Sequence, residues 1–578
     1  MRTLLQNAHV FNTWLKTFLP GWILMEDGRI RYAFVDGPCP LPADEVIDAK
    51  GCYCIPSFID IHLHIESSMV TPATFSRELL RHGVTTCVAE PHEIANVMGL
   101  EGVKAFMEQG RTCQADIFWG IPSSVPCSSY ETTGGRIELA DALELTREND
   151  VTCLGEVMNC YSVLHEPNGK IRTWLECLRR EHPALTREGH ISYYKGAELC
   201  DIAFHGVDSD HTSIGLDYFI ERLKMGVFGE IQEKSILPEV VDYVEKNQVW
   251  DHFCIVTDDV MPDQLYHRGH LDYLVRKAIG LGMRPERAII AATWNPAQRM
   301  KFYDRGMIAP GRRADLVLVD DLQHMRIQKT IKDGHVVYDA GAPRETIPAL
   351  RRFPAPFYHS VQLRELTEDD FRIHTSLPDG MHLARMMEPD AGTGFVREAF
   401  HQVNVHRGQM DYDATPYCLI AVFDRYTGQG KRMLGLVCGN DFIKYGAVAC
   451  TYAHDHHNLL VAGKTAHECA MAANWVIAHQ GGYCVVEHNE ITASLELEVG
   501  GIVSEAPLEE MAQHAQDITQ ALLRMGYQFK ENPIMSFSVL GLSVSPQLRI
   551  TDKGYVKVKA GQLLPLFDEE ASRQAKEE

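Results

Sequence analysis

Two histidines one residue apart in the segment IDIHLHIE, residues 59–66, have the spacing of paired metal ligands. Side chains on a β-strand alternate between two faces, so the polar side chains of this segment would share one face while its apolar side chains pack outward against helices. The residues on the polar face are Asp60, His62, His64 and Glu66. Two imidazoles on one face can bind one cation together, so His62 and His64 are candidate metal ligands, although a second H-x-H pair at residues 454–456 shows that the spacing alone is not specific.

Four more residues of metal-ligating type stand at the ends of separate apolar segments. They are Glu156 in LGEVMN, His190 in REGH, His211 in DSDH and Asp258 in IVTDD. Catalytic groups of a (β/α)₈ barrel come from the C-terminal ends of different strands. A single charged residue at a strand end is often only a solvated loop group, whereas six in barrel order predict a centre for two divalent cations. Mixed nitrogen and oxygen ligands suit manganese, iron or zinc.

The segments that carry these ligands alternate with helical stretches between residues 55 and 304. They are SFIDIHLHI, GVTTCVAE, ADIFWGIP, VTCLGEVM, a weaker PALTREGHI, IAFHGVDSDH, GVFGEIQE and HFCIVTDD. Eight strands in about 250 residues are typical of a (β/α)₈ barrel, so the predicted fold class is α/β with a TIM barrel at its centre. Helical periodicity is clearest in HLDYLVRKAIGLGM, residues 270–283.

Both flanks of this central region are predicted to form short strands. Residues 1–54 and 305–350 each contain a hairpin signal, Asp27-Gly28 in the first and Asp333-Gly334 in the second, between alternating apolar segments. We therefore predict a small β-sandwich built from both flanks. After the proline-rich segment RRFPAPFYHS, residues 351–578 are predicted to form a third unit of the α+β type, with a helix at AHECAMAANWVIAHQ.

The composition restricts the partners of the protein. Its 578 residues are 45% hydrophobic and 23% charged, and the net charge is −23. This acidic balance repels phosphate backbones and anionic membranes, so we expect neither as a partner and favour a small, neutral or weakly basic substrate. The 16 cysteines include no C-x-x-C pair, and the first thirty residues are neither a signal peptide nor a membrane span. These features predict a cytoplasmic protein with reduced thiols.

Several longer motifs carry a family resemblance that extends over nearly the whole chain. They are PSFIDIHLHIESSMVTPATF, GVTTCVAEPHEIANVMG, LGEVMN, CIVTDD, GMIAPGRRADLVLVDDL, AVACTYAHDHHNLLVAG and GGYCVVEHNEITASLELEVGGIVSE. The sequence resembles the amidohydrolase superfamily, and specifically its adenine deaminase family. The resemblance implies hydrolytic deamination of adenine to hypoxanthine and ammonia by a metal-bridged hydroxide, as in purine salvage.

The resemblance also implies a role for each ligand. His62 and His64 would hold one metal with Asp258, a second metal would be held by His190 and His211, and Glu156 would bridge the two ions. Family members work with manganese or iron. Asp258 would take a proton from the attacking water and pass it to the leaving amine.

Other residues are candidates for roles around this centre. Glu93 and Glu233 are alternative carboxylates for protonating a ring nitrogen, and His92 would either face the substrate or orient a metal ligand. The group His454, Asp455, His456 and His457 would be a separate metal site, a lid over the barrel mouth or an exposed polar loop.

Three departures from the family pattern fall in loops expected to line the substrate pocket, at residues 191–194, 232–235 and 260–262. They leave open a substituted adenine or a pterin as the substrate, or cyclic amide hydrolysis within the same superfamily. A non-catalytic scaffold is disfavoured because all six ligands are present. The expected partner is a purine base, and the expected assembly is a homo-oligomer, with a dimer as the commonest form.

Overall fold

The computed structural model describes residues 1–212, 215–343, 352–390, 396–413, 415–439, 442–527, 529, 531–545 and 547–568. These residues contain both strands and helices, which confirms the α/β character of the chain. Among the residues described, none of the helices is both long and apolar enough to cross a bilayer.

The first part of the chain is entirely strand and turn. Its strands are β1 (Arg2–Asn12), β2 (Thr17–Glu26), β3 (Arg29–Ala33), β4 (Glu45–Asp48) and β5 (Tyr53–Pro56). The predicted hairpin turn joins β2 to β3, with φ of 49° at Asp27 and 78° at Gly28. Positive φ at both turn positions matches the right-handed twist of the flanking strands.

Eight strands alternate with helices in the central region. The strands are β6 (Phe58–Leu63), β7 (Val84–Ala89), β8 (Asp116–Ile121), β9 (Val151–Val157), β10 (Thr186–Gly189), β11 (Ser209–Asp210), β12 (Phe228–Ile231) and β13 (Phe253–Ile255). The helices are α1 (Pro72–Arg81), α2 (His92–Gly110), α3 (Leu139–Leu145), α4 (Cys160–His165), α5 (Lys170–Glu181), α6 (Gly196–Phe204), α7 (Leu216–Lys224), α8 (Pro238–Asn247), α9 (Pro262–His267), α10 (Leu271–Gly280), α11 (Pro285–Ala291) and α12 (Trp294–Arg299).

These eight strands form two parallel sheets. One has the order β10-β9-β8-β7-β6, and the other has the order β11-β12-β13. Every predicted segment contains a strand, but the prediction for the sixth segment, residues 202–211, was too long. Its apolar start belongs to α6, where Ile202 is fully buried, and only Ser209–Asp210 pair as a strand.

The predicted alternation along residues 59–66 was partly wrong. β6 ends at Leu63, and the next residues form a 3₁₀ turn, Ile65–Ser68, so Glu66 does not lie on the strand. Ile59 and Ile61 belong to a small apolar cluster that is separate from the core containing Leu63 and Ile65. The physical reason is a shift of register between β6 and β7, which interrupts the period of two.

The chain then returns to the first sheet through β14 (Leu316–Val319), β15 (Ile327–Lys332) and β16 (His335–Asp339). The sheet has the order β16-β15-β14-β5-β1-β2-β3, with β4 paired to β1. The antiparallel pair of β14 and β5 joins the two flanks in one sheet, and the predicted sandwich stays a prediction. One apolar cluster contains residues of both flanks, among them Leu5, Ile23 and Leu316.

The last part of the chain is built on a mainly antiparallel sheet. Its strands are β17 (Ile373–His374), β18 (Gly380–Pro389), β19 (Val396–His406), β20 (Gln409–Met410), β21 (Cys418–Phe423), β22 (Arg432–Val437), β23 (Ala447–Cys450), β24 (Leu459–Gly463), β25 (Gly482–Glu487), β26 (Glu490–Glu496), β27 (Leu548–Thr551), β28 (Gly554–Lys557) and β29 (Gln562–Leu564). Its helices are α13 (Ala466–Ala478), α14 (Leu508–Arg524) and α15 (Pro533–Ser538).

Ten of these strands form one sheet, and β27, β28 and β29 form another. The predicted helix at residues 466–480 is present as α13 and packs against β23 and β25. The division into units 1–54 with 305–350, 55–304 and 351–578 stays a prediction, and its boundary at residues 350 and 351 lies outside the described residues.

Candidate metal centre

The six predicted ligands all lie at the C-terminal ends of central strands. His62 is in β6 and His64 follows it, Glu156 is in β9, His190 follows β10, His211 follows β11, and Asp258 lies shortly after β13. Because the strands within each sheet are parallel, their C-terminal ends meet on the same side. The strand positions therefore explain why residues far apart in sequence converge.

Glu156 stands at the middle of the group. Its Oε2 lies 2.6 Å from His190 Nδ1 and 3.2 Å from His211 Nε2, and its Oε1 lies 3.3 Å from His64 Nε2. Asp258 completes the group, with Oδ1 at 3.5 Å from His64 Nε2 and 3.7 Å from His62 Nε2. All six predicted ligands are thus brought together around Glu156.

The donor atoms fit a divalent cation. A metal with ligands at about 2.0–2.2 Å holds neighbouring ligand atoms about 3–3.6 Å apart, close to most of the separations around Glu156. His62 Nε2 and His211 Nδ1 are buried without a hydrogen-bond partner among the described residues. Buried polar atoms are normally satisfied, so an unpartnered His62 Nε2 at 3.7 Å from Asp258 Oδ1 fits the role of a metal ligand.

The charges of the centre favour cation binding. Burial, together with the nearby His211, lowers the pKa of His62 to about 3, so its imidazole is neutral and able to ligate. Burial alone would raise the pKa of Glu156, but the imidazoles around it outweigh burial and hold that pKa well below its usual range. Burial would likewise lower the pKa of His211, yet contact with Glu156 raises it to about 9. A cation would displace this proton.

His92 lies beside the centre rather than within it. Its ring is 4.7 Å from that of His64, centroid to centroid, and its Nδ1 is 2.8 Å from Glu90 Oε2. Glu90 itself packs against Gly155, where a Cβ atom would lie 2.3 Å from Glu90 Cγ, so only glycine fits at that position. The sequence left two roles open for His92, and its packing against His64 is compatible with both.

The predicted histidine-rich segment, residues 454–457, reaches the start of α2 beside the centre. His454 Nδ1 lies 2.7 Å from Glu93 Oε1, and His457 Nε2 bonds the other oxygen of Glu93. His456 is also buried, and its Nδ1 accepts a hydrogen bond from the Asn458 amide. The alternative of an exposed polar loop is therefore wrong, because all four residues from His454 onward are buried.

Glu233 does not join this group. Its Oε1 pairs with Arg268 and accepts a hydrogen bond from Tyr273 at 2.9 Å. The neighbouring Gln232 does reach the centre, since its Nε2 donates to the backbone oxygen of His211 at 2.9 Å. Of the two predicted ring-protonating carboxylates, only Glu93 lies beside the candidate metal centre.

A cavity of about 490 Å³ opens over the centre. Its lining combines residues of the centre with Ser192, Tyr193, Gln232 and Lys234 from two of the three predicted pocket loops, whereas none of residues 260–262 lines it. Arg549, which the sequence analysis did not single out, also faces this cavity. It is 2% exposed, Nη2 donates to Ser545, and Nε and Nη1 have no partner among the described residues.

Comparison with known proteins shows which family models and relatives the chain matches. The Amidohydrolase family matches residues 53–157 and 237–337, and the adenine deaminase C-terminal domain matches residues 395–562. "Adenine deaminase 2" of Shouchella clausii strain KSM-K16 is 46% identical over 571 residues, covering 99% of this chain and 99% of that protein. "Adenine deaminase" of Clostridium perfringens strain ATCC 13124 is 39% identical, covering 98% of this chain and 99% of that protein. "Adenine deaminase" of Lactobacillus delbrueckii subsp. bulgaricus strain ATCC 11842 is 36% identical, with the same coverage of 98% and 99%.

Proposed function

Because the chain belongs to the adenine deaminase family of the amidohydrolases, we propose that it hydrolyses adenine to hypoxanthine and ammonia at the centre around Glu156. The observation that carries this proposal is the contact of one buried carboxylate, Glu156, with three imidazoles beneath a cavity of about 490 Å³. Such an arrangement has the ligands of a hydrolytic metal centre and the space for a small planar base.

The two parallel sheets of the central region close into a (β/α)₈ barrel in this proposal. An isolated parallel bridge between Leu63 and Asp258 links β6 to the end of β13, with the Asp258 amide donating to the His62 oxygen at 3.0 Å. On the opposite side, the Asp208 amide donates to the Arg187 oxygen at 3.3 Å, between β10 and β11. These contacts support a closed ring of eight strands.

Two divalent cations, manganese or iron, with zinc as the alternative, are the proposed cofactors. His62, His64 and Asp258 would hold one, the pair His190 and His211 the other, and Glu156 would contact both. When bound, such ions lower the pKa of a shared water toward ~7 and so supply a nucleophile at neutral pH.

Asp258 is the proposed proton carrier. Burial would raise the pKa of its carboxyl, but His64 and its other imidazole neighbours outweigh burial and lower that pKa, so the side chain is ionised and able to accept a proton. It takes the proton of the attacking water and passes it to the amine that leaves C6 of adenine. Burial would raise the pKa of Glu93, but His454 and its other imidazole neighbours outweigh burial and hold that pKa well below its usual range.

Arg549 is proposed to bind the purine ring. A buried guanidinium with unsatisfied N–H groups needs acceptors, and the cavity it faces is where the substrate would lie. The ring nitrogens of adenine are such acceptors. Gln232 donates a hydrogen bond to the backbone oxygen of His211, and this bond orients its side chain in the neighbouring wall of the cavity.

The test is a panel of bases offered to the metal-loaded protein, with ammonia release as the readout. The panel contains adenine, substituted adenines, pterins and cyclic amides. We expect rapid ammonia release from adenine. Release from another member of the panel with adenine left intact would refute the substrate assignment while leaving the metal centre in place.

We further propose a cytoplasmic homodimer. All 16 cysteines are free thiols, most of them buried, as is usual in a reducing compartment. Symmetric dimers are the commonest assemblies of soluble enzymes. Light scattering of the purified protein tests the dimer, and a mass of one chain, 65.1 kDa, would refute it.

A further inference from the structure

Four buried side chains next to the centre around Glu156 form a second cluster that the proposed reaction does not use. They are His92 and Glu93, at the start of α2, and His454 and Asp455, between β23 and β24. Each residue offers one ligand atom, and these four atoms lie within 4.8 Å of one another. We call this group the second cluster. Its two halves come from parts of the chain separated by more than 350 positions.

The spacing within the second cluster is that of metal ligands. Glu93 Oε1 lies 2.7 Å from His454 Nδ1 and 3.4 Å from His92 Nε2. Asp455 Oδ1 lies 3.5 Å from His454 Nδ1 and 3.7 Å from His92 Nε2. Four ligands at about 2.0–2.2 Å around a tetrahedral zinc ion lie about 3.3–3.6 Å apart, so three of the four distances are close to this geometry.

The two ligands from α2 are held in a ligating orientation. The carboxylate of Glu90 lies 2.8 Å from His92 Nδ1, so that nitrogen donates its proton and Nε2 keeps a lone pair toward the second cluster. This carboxylate–histidine pairing is typical of metal ligands. The second oxygen of Glu93 bonds His457, which leaves Oε1 facing His92 and His454.

One ligand atom of the second cluster is unsatisfied. Glu93 Oε1 is buried and makes no well-aligned hydrogen bond in the part of the chain that the structure describes, although His454 Nδ1 lies 2.7 Å away. Two buried carboxylates with neutral imidazoles would also carry two uncompensated charges, which is costly in a protein interior. Either a divalent cation or a proton on each imidazole would compensate them.

We propose that the second cluster binds a divalent transition-metal ion of the zinc type, in addition to the ions of the centre around Glu156. Two imidazole nitrogens and two carboxylate oxygens are a ligand set that zinc accepts. Because its ligands come from both, the ion links the segment carrying His454 and Asp455 to the start of α2. Because both residues line the cavity over the first centre, the ion fixes one of its walls.

The experiment counts zinc ions per chain. Full-length protein is stripped with a chelator, reloaded with Zn²⁺, desalted and analysed by mass spectrometry for metal content. We expect the His454→Gln variant to hold one ion fewer than the unchanged chain. Equal zinc content in the two proteins would overturn the proposal, because protons would then be the compensating charges.

His456 supplies the matched control. It lies in the same segment and is equally buried, but it faces Gly541 rather than the second cluster. His456→Gln should keep the zinc content of the unchanged chain, and a loss of one ion in this variant as well would overturn the assignment to His454. Circular dichroism establishes that both variants are folded.

Two further measurements separate this proposal from the proposed function and from a folding defect. A His62→Gln, His211→Gln double variant should still retain the ion of the second cluster, and its complete loss of zinc would contradict an independent site. Crystals of the unchanged protein with zinc, measured at the zinc absorption edge, should show an anomalous peak among the four ligand atoms. Absence of that peak would overturn the proposal even if His454→Gln failed to fold.

Discussion

His457 and Glu93 are hydrogen-bonded through Nε2 and Oε2 although 364 positions separate them in the sequence. The bond is fully buried, and it ties the segment between β23 and β24 to the start of α2. The wall of the cavity over the first centre is therefore shared by two distant parts of the chain.

Breaking this bond should destabilise the protein. His457→Asn leaves one oxygen of the buried Glu93 carboxylate without a donor, which we expect to cost about 2–3 kcal/mol. Calorimetry of metal-stripped protein should show a lower thermal midpoint. His467→Asn is the control, since its pair with Glu368 is about half exposed and surface pairs contribute little. Equal midpoints for the two variants would contradict the structural role of His457.

Replacing Asp258 should abolish turnover without unfolding the protein. Asp258→Asn keeps the shape of the side chain but removes its ability to accept a proton, so kcat for adenine should fall by about 10³-fold. Metal analysis of the same sample shows whether the ions remain bound. A kcat within tenfold of the unchanged enzyme would refute the role of Asp258.

Replacing Glu233, unlike replacing Asp258, should leave the kinetics nearly unchanged. Its carboxylate pairs with Arg268 and does not line the cavity over the centre, so Glu233→Gln should leave kcat and KM for adenine within about threefold. The steady-state rate of ammonia release measures both constants. A fall in kcat comparable to that of Asp258→Asn would instead show that Glu233 takes part in proton transfer.

Arg549 should set the affinity for the base. Arg549→Met removes the buried charge with little change of volume, and a hydrogen bond from a charged donor contributes about 1.5–3 kcal/mol. We expect KM for adenine to rise at least about tenfold while kcat changes much less. Arg549→Lys should recover part of the affinity. Unchanged KM in both variants would show that Arg549 does not contact the substrate.

The arrangement of the first centre could largely be predicted from sequence, because the C-terminal ends of parallel strands meet on one side of a sheet. His62, His64, Glu156, His211 and Asp258 each end or follow an apolar strand, and parallel pairing brings such ends together. Glu66 was placed wrongly because β6 shifts register and ends before it. The alternation rule holds only while the strand is regular.

Contacts between distant parts of the chain could not be predicted in the same way. Nothing in AHDHHN reveals that His454 faces Glu93, since this depends on how the segment between β23 and β24 packs against the start of α2. Arg549, in the segment QLRITDKG, looks like an ordinary surface cation until its burial is known. Such residues are found from packing, not from local pattern.

The most direct test of the account is metal removal and readdition with adenine as the substrate. Protein stripped by a chelator, and shown by metal analysis to be empty, should release no ammonia from adenine, and titration with Mn²⁺ should restore release until the ions saturate. His64→Gln should stay inactive over the same titration. Metal-free protein that still converts adenine to hypoxanthine would contradict a function based on the centre around Glu156.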